Sequence, residues 1–134
     1  MKDKFKPGDK KTFKKIVTGE DTAVFQSGAV HPVYATFALA RDAEWACRLF
    51  VLEMKDEDEE GIGTMLTIDH LSPALVGSEI IFEAIISEIK GNSIICEYTA
   101  SVGERLIARG RQGQKILKKD RVNLIFAQLQ PKSR

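Results

Sequence analysis

Two cysteines in 134 residues leave no room for a disulfide framework or a thiolate-rich metal site. Cys47 and Cys96 each stand inside an apolar run, where a free thiol packs as a small hydrophobe. Long apolar runs are missing too. None approaches the ~18 residues of a membrane-spanning helix, and Met1 to Lys15 is lysine-rich without the ~7–15-residue apolar stretch of a signal peptide. The expectation is a cytoplasmic protein that does not engage a membrane. Nor is there an excess of charge: twenty basic against nineteen acidic residues leave +1, which argues against nucleic acid or an anionic surface as the main partner. Aromatic residues make up only 7% of the chain, and the Arg-rich last strand has no aromatic platform interleaved with it, as base stacking would require.

What is present is an ordinary globular balance, 43% apolar and 29% charged, in a chain long enough to bury roughly two-thirds of its unfolded surface in one core. Residues 1–134 read as one domain, with 1–12 and 118–134 as peripheral tails. Phe13 to Val17 forms a short strand-like run, Val24 to Gln26 a weaker one, and Val30 to Ala35 a surface loop in which Pro32 holds His31 extended. From Thr36 to Met54 there is neither glycine nor proline. Leu39, Ala40, Ala43, Ala46, Cys47, Phe50, Val51 and Met54 fall on one helical stripe, with Arg41, Asp42, Arg48 and Glu53 elsewhere and Glu44 at its edge. The acidic run Asp56 to Glu60 with Gly61 reads as a solvated, mobile connector.

Beyond Gly63 the apolar period drops from 3.6 to 2. Gly63 to Leu71 sets Thr64, Leu66, Ile68 and His70 on one face. Ser78 to Ile89 turns at Lys90-Gly91-Asn92 into a strand with Ile94, Cys96, Tyr98, Ala100 and Val102 on one side. Gly103-Glu104 then leads to a last strand, Arg105 to Leu117. A strand, a long helix and four consecutive strands make an α+β protein with a largely antiparallel sheet wrapped around one helix. The apolar piece Val122 to Leu129 is open to reading as helix, strand or arm.

Three polar residues stand among apolar neighbours. Thr36 reads as a helix N-cap; Glu44 as an ion-pair partner of Arg41 and Arg48 at helical spacing; His70 as a histidine pointing at the helix. In combination they resemble a known family. His31-Pro32-Val33-Tyr34-Ala35-Thr36 ahead of the helix, Glu44 eight residues into it, and Gly63 opening the strand that carries His70 are similar to the fluoroacetyl-CoA thioesterase type of the hot-dog superfamily, over about Val17 to Leu117. The resemblance implies a hot-dog fold, hydrolysis of a small acyl-CoA, a homodimer, and catalytic roles for Thr36, Glu44 and His70. No cofactor or metal is implied, coenzyme A being part of the substrate. The chain departs from the family at Phe37, where the family carries proline, and at Gly110-Arg111-Gln112-Gly113-Gln114, where it carries Gly-Thr-His-Glu-Arg.

The residue types suit that chemistry. Thioester hydrolysis needs a base poised near neutrality, a nucleophile or polarised water, and donors for the oxyanion. His70 fits the first need; Glu44 fits the second, as nucleophile or as the group polarising water; backbone N–H groups near Gly63 fit the third. Arg109 and Arg111, with Arg105 and Lys115, form a basic stripe on one face of the last strand, either a solvated face or a surface for coenzyme A phosphates. The alternatives on the same fold are an acyl-CoA hydratase or dehydratase and a non-catalytic acyl-CoA sensor.

Overall fold

The computed structural model of the chain describes residues 1–25 and 28–131. Strand β1 (Lys10–Ile16) is followed by a 3₁₀ turn at Gly19–Asp21, then by β2 (Thr22–Phe25) and β3 (Gly28–Tyr34), which pair antiparallel. Val30 to Ala35 is therefore largely strand, not surface loop. Pro32, which lacks an N–H, is accommodated by a register shift: Thr22 pairs with Tyr34 and the next residue, Ala23, with His31, so Pro32 and Val33 bulge out. Of the weak run at Val24 to Gln26, Gln26 lies outside the described residues, as do Lys132 to Arg134.

Helix α1 runs Thr36–Met54, the full stretch free of glycine and proline. Its buried face carries Ala38, Leu39, Ala43, Ala46, Cys47, Phe50, Val51 and Met54, as the period requires, with Ala40 half-buried. Asp42 is also buried, contrary to its expected place off the stripe, because the hydroxyl of Tyr34 and the Arg41 guanidinium satisfy its carboxylate.

Strands β4 (Glu59–Leu66), β5 (Asp69–His70), β6 (Glu79–Lys90), β7 (Ser93–Val102) and β8 (Arg105–Lys118) complete the main sheet, ordered β1-β6-β7-β8-β4, with β5 also paired to β8. The two tight turns are where the glycines predicted them. Gly91 and Gly103 have φ of 60° and 56°, a conformation that costs a side chain roughly 1–2 kcal/mol and glycine nothing. Ile80, Phe82, Ala84 and Ile86 of β6 and Ile94, Cys96, Tyr98 and Ala100 of β7 bury their side chains with the helix stripe in one core. Each large side chain so buried contributes about 1.5–3 kcal/mol.

The acidic connector is shorter and better held than its composition suggests. Glu59 already begins β4 and is buried, and the Met1 ammonium lies 2.7 Å from Asp56 and 2.8 Å from Glu59. The N-terminal segment packs accordingly, with Phe5 edge-on to Phe50 at 5.1 Å between ring centres. At the other end, the undecided segment is helix α2 (Lys119–Leu129), which buries Val122 and leaves Leu124, Phe126 and Leu129 exposed.

Candidate active site

The site is built where the N-terminal half of α1 meets the β4–β5 edge of the sheet. Thr36 is the first helical residue, and the N-cap is Ala35, so the threonine hydroxyl is not spent on the helix terminus. It lies 2.9 Å from Nδ1 of His70 instead. His70 pairs with Ala108, a buried residue, which places its ring on the helix side of the sheet. Its Nε2 is buried with no partner among the described residues. Beside it a cavity of about 220 Å³ is lined by His70, Leu71, Ser72 and Pro73. Arg105 secures that loop by donating to Ser72 Oγ and the Pro73 carbonyl.

A regular strand would put Gly63 and His70 on opposite faces, because they are seven residues apart. A bulge corrects this. Gly63 pairs with Gln114 but Met65 with Gly113, so Thr64 is the extra residue, and the register then runs on to His70 opposite Ala108. The expected sharing of one face by Thr64 and His70 is lost, and Gly63 takes that face. A Cβ on Gly63 would collide with Oε1 of Glu44 and sit 3.6 Å from its Cδ. Glycine here makes room for the carboxylate.

Glu44 does not form the helical ion pairs its spacing suggests. Arg41 donates to Asp21 Oδ1 at 2.8 Å and to both oxygens of Asp42, and Arg48 donates to the Gly61 carbonyl at 2.9 Å. Among the described residues no cation lies within ion-pair distance of Glu44, and its one hydrogen bond comes from Gln112 Nε2 at 3.4 Å. The side chain is otherwise exposed. Thr36 and His70 are thus brought into contact, whereas Glu44, eight residues and ~12 Å of helix rise from Thr36, sits against Gly63 and Gln112.

Two groups of residues escaped the sequence reading. Gln112 and Gln114 are 1% and 2% exposed on the helix-facing side of β8, where alternation with Ala108 would have placed them. The second is the cluster that fixes the helix entry. Ala35 donates its N–H to the Asp21 carbonyl at 2.7 Å, and the Tyr34 hydroxyl donates to Asp42. Burial, and after it the Asp42 carboxylate, holds the Tyr34 phenol far above its usual range, so it stays a donor. Burial works to raise Asp21, but hydrogen bonds from Arg41, Thr18 and Lys15 outweigh it and bring the carboxyl down to about 2. A charged, hydrogen-bonded cluster therefore anchors the two residues that precede Thr36.

Arg109 and Arg111 are exposed on the other face of the sheet. There they line a cavity of about 420 Å³ together with Asp69, Glu83 and Glu97, so acids surround the two cations.

The fluoroacetyl-CoA-specific thioesterase family model matches residues 17–120, most of the chain. A hypothetical protein of Thermus thermophilus that is a thioesterase superfamily member shares 35% identity over 95% of this chain and 94% of its own, with a TM-score of 0.89. The fluoroacetyl-CoA thioesterase FlK superposes with a TM-score of 0.87 at 21% identity, covering 96% of this chain and 100% of its own. A hot-dog-like protein from Thermanaerovibrio acidaminovorans gives 0.86 at 19% identity over 96% of each chain. No sequence among curated proteins matches. The fold, the family match and the 35% identical relative agree: this chain belongs to the fluoroacetyl-CoA-specific thioesterase family, a hot-dog thioester hydrolase acting on acyl-CoA.

Proposed function

We propose that the substrate is a small acyl-CoA and that Thr36, His70 and Glu44 carry its hydrolysis. The observation behind this reading is the 2.9 Å contact between Thr36 Oγ1 and His70 Nδ1, which orients the ring from one nitrogen and leaves Nε2 unpartnered. In the reaction, water attacks the thioester carbonyl carbon while Nε2 takes its proton; the tetrahedral intermediate collapses with C–S cleavage, and the imidazolium returns that proton to the leaving sulfur. Glu44, unpaired with any cation among the described residues, is placed to polarise the water or to attack the carbonyl itself. Backbone N–H groups around Gly63 are the proposed oxyanion donors. Arg109 and Arg111 have no part in this scheme, since they lie on the opposite sheet face among carboxylates.

The proposal includes a homodimer. Strand β4 is an outer strand of the sheet, and Phe37, Trp45 and Leu66 expose 56%, 42% and 37% of their surface on α1 and β4. Pairing of β4 with a second copy would satisfy the edge and cover these side chains. No described helix is long and apolar enough to cross a membrane. A cytoplasmic location is proposed on the low cysteine content alone.

The test is release of free thiol from a panel of short, branched, aromatic and halogenated acyl-CoAs. Fastest turnover on a two- or three-carbon acyl group is expected. A preference for long or aromatic chains would end the small-acyl reading, and a monomer mass by light scattering at micromolar concentration would end the dimer.

A further inference from the structure

We infer that Gln112 is a positioning residue of the active site, holding the Glu44 carboxylate through its side-chain amide, and that Gln114 fixes Gln112 in turn. The inference rests on the catalytic reading of Glu44. Both glutamines are buried, at 1% and 2% exposure, in the layer between β8 and α1, where an amide without partners is strongly unfavourable. They are joined in one direction. Gln114 Nε2 donates to Gln112 Oε1 at 3.0 Å, and Gln112 Nε2 donates to Glu44 Oε1 at 3.4 Å.

That polarity follows from the far end of the chain. An ionised carboxylate only accepts, so Gln112 must present its NH₂ to Glu44 and its oxygen to Gln114. Gln114 must then turn its NH₂ to Gln112, which strands its own oxygen: Gln114 Oε1 is buried with no partner among the described residues. Leaving that acceptor unpaired is costly, and the arrangement tolerates it to keep a donor on Glu44. The same layer carries no side chain at Gly61 or Gly63: a Cβ on Gly61 would press on Gln114 Oε1 at 3.2 Å, and one on Gly63 would collide with Glu44 Oε1 itself.

The donors are neutral, which matters for the chemistry. A cation at either position would pair with Glu44 and offset its charge. An amide fixes the carboxylate without neutralising it. Arg48, one helical turn beyond Glu44, is held off on the Gly61 carbonyl.

Replacing both glutamines by leucine removes the donor and the stranded acceptor together, so the doubly substituted Q112L/Q114L protein should fold with little change in melting temperature. Its kcat should fall tenfold or more with KM nearly unchanged, and adding it to E44Q should produce no further loss, because it acts only through that carboxylate. If Q112L/Q114L does not fold, the near-isosteric Q112E decides: a second carboxylate against Glu44 should move the acid limb of the kcat pH profile upward by one pH unit or more. Wild-type kcat in folded Q112L/Q114L, losses additive with E44Q, or an unmoved acid limb in Q112E would overturn the inference. E44Q alone separates the two levels: if it retains full turnover, the catalytic reading of Glu44 fails; if it is inactive while Q112L/Q114L is fully active, only the positioning role fails.

Discussion

Gly63→Ala tests the site most sharply, because its effects on stability and on rate should part company. The backbone at Gly63 is not in the left-handed region, so alanine is conformationally admissible. The new methyl would occupy the space of Glu44 Oε1, and the carboxylate, exposed on its other side, can retreat. Moving it off its preferred rotamer costs about 0.5–1.5 kcal/mol. Replacing glycine in a strand interior returns about 0.5–1 kcal/mol. The two nearly cancel, and even a residual 1 kcal/mol would shift the melting temperature by only ~3–4 °C in a domain of this size. Rate has no such compensation: a misplacement of roughly 1 Å in a reacting group costs about 10²-fold. Gly61→Ala is the contrast, since its methyl would strike Val51, which is fully buried and cannot retreat, so overpacking should cost about 1–3 kcal/mol of stability. The assay is thiol release at saturating acyl-CoA beside thermal melts of both variants. Shortening the acid in Gly63→Ala/Glu44→Asp should restore part of the rate. A folded Gly63→Ala protein with wild-type kcat would refute the placement of Glu44 in the reaction.

His70→Asn should lower kcat by about 10²-fold or more while the melting temperature stays close to wild type; lost stability with full activity per folded molecule would make it a core histidine only. Asp21→Asn should destabilise the protein by about 2 kcal/mol at neutral pH, the equivalent of the drop from 3.8 to about 2. Because the folded-state value is the lower one, that contribution is complete above about pH 4 and disappears as pH falls through about 2. Urea melts of wild type and variant should therefore converge on acidification, and a constant gap would count against the Asp21–Arg41 assignment. Cys47, whose thiol is pushed far above its usual range by the neighbouring Cys96 and by burial, should resist an aromatic disulfide reagent at pH 8 in the native state. Two thiols should react after denaturation; rapid native labelling would contradict the buried pair.

The residues 36–54 declare their helix because every contribution to it is local: no glycine or proline interrupts the run, and apolar side chains return at helical spacing. Gly91 and Gly103 declare the hairpins for the same reason, since the sterics of a single left-handed residue settle the turn. The order Thr36, Glu44, Gly63, His70 carried the family likeness, which the match over residues 17–120 upholds. What the chain alone did not determine is which of these groups meet. The bulge at Thr64 becomes visible only against β8, yet this one extra residue decides that Gly63 rather than Thr64 shares a face with His70. Likewise Glu44 has two arginines at helical spacing, and both go elsewhere: Arg41 to Asp21, twenty residues away, and Arg48 to a carbonyl of β4. An exposed helical ion pair contributes only a few tenths of a kcal/mol, whereas a buried carboxylate or carbonyl without a partner costs several times that, so tertiary packing reassigns the arginines and leaves Glu44 free for a buried amide.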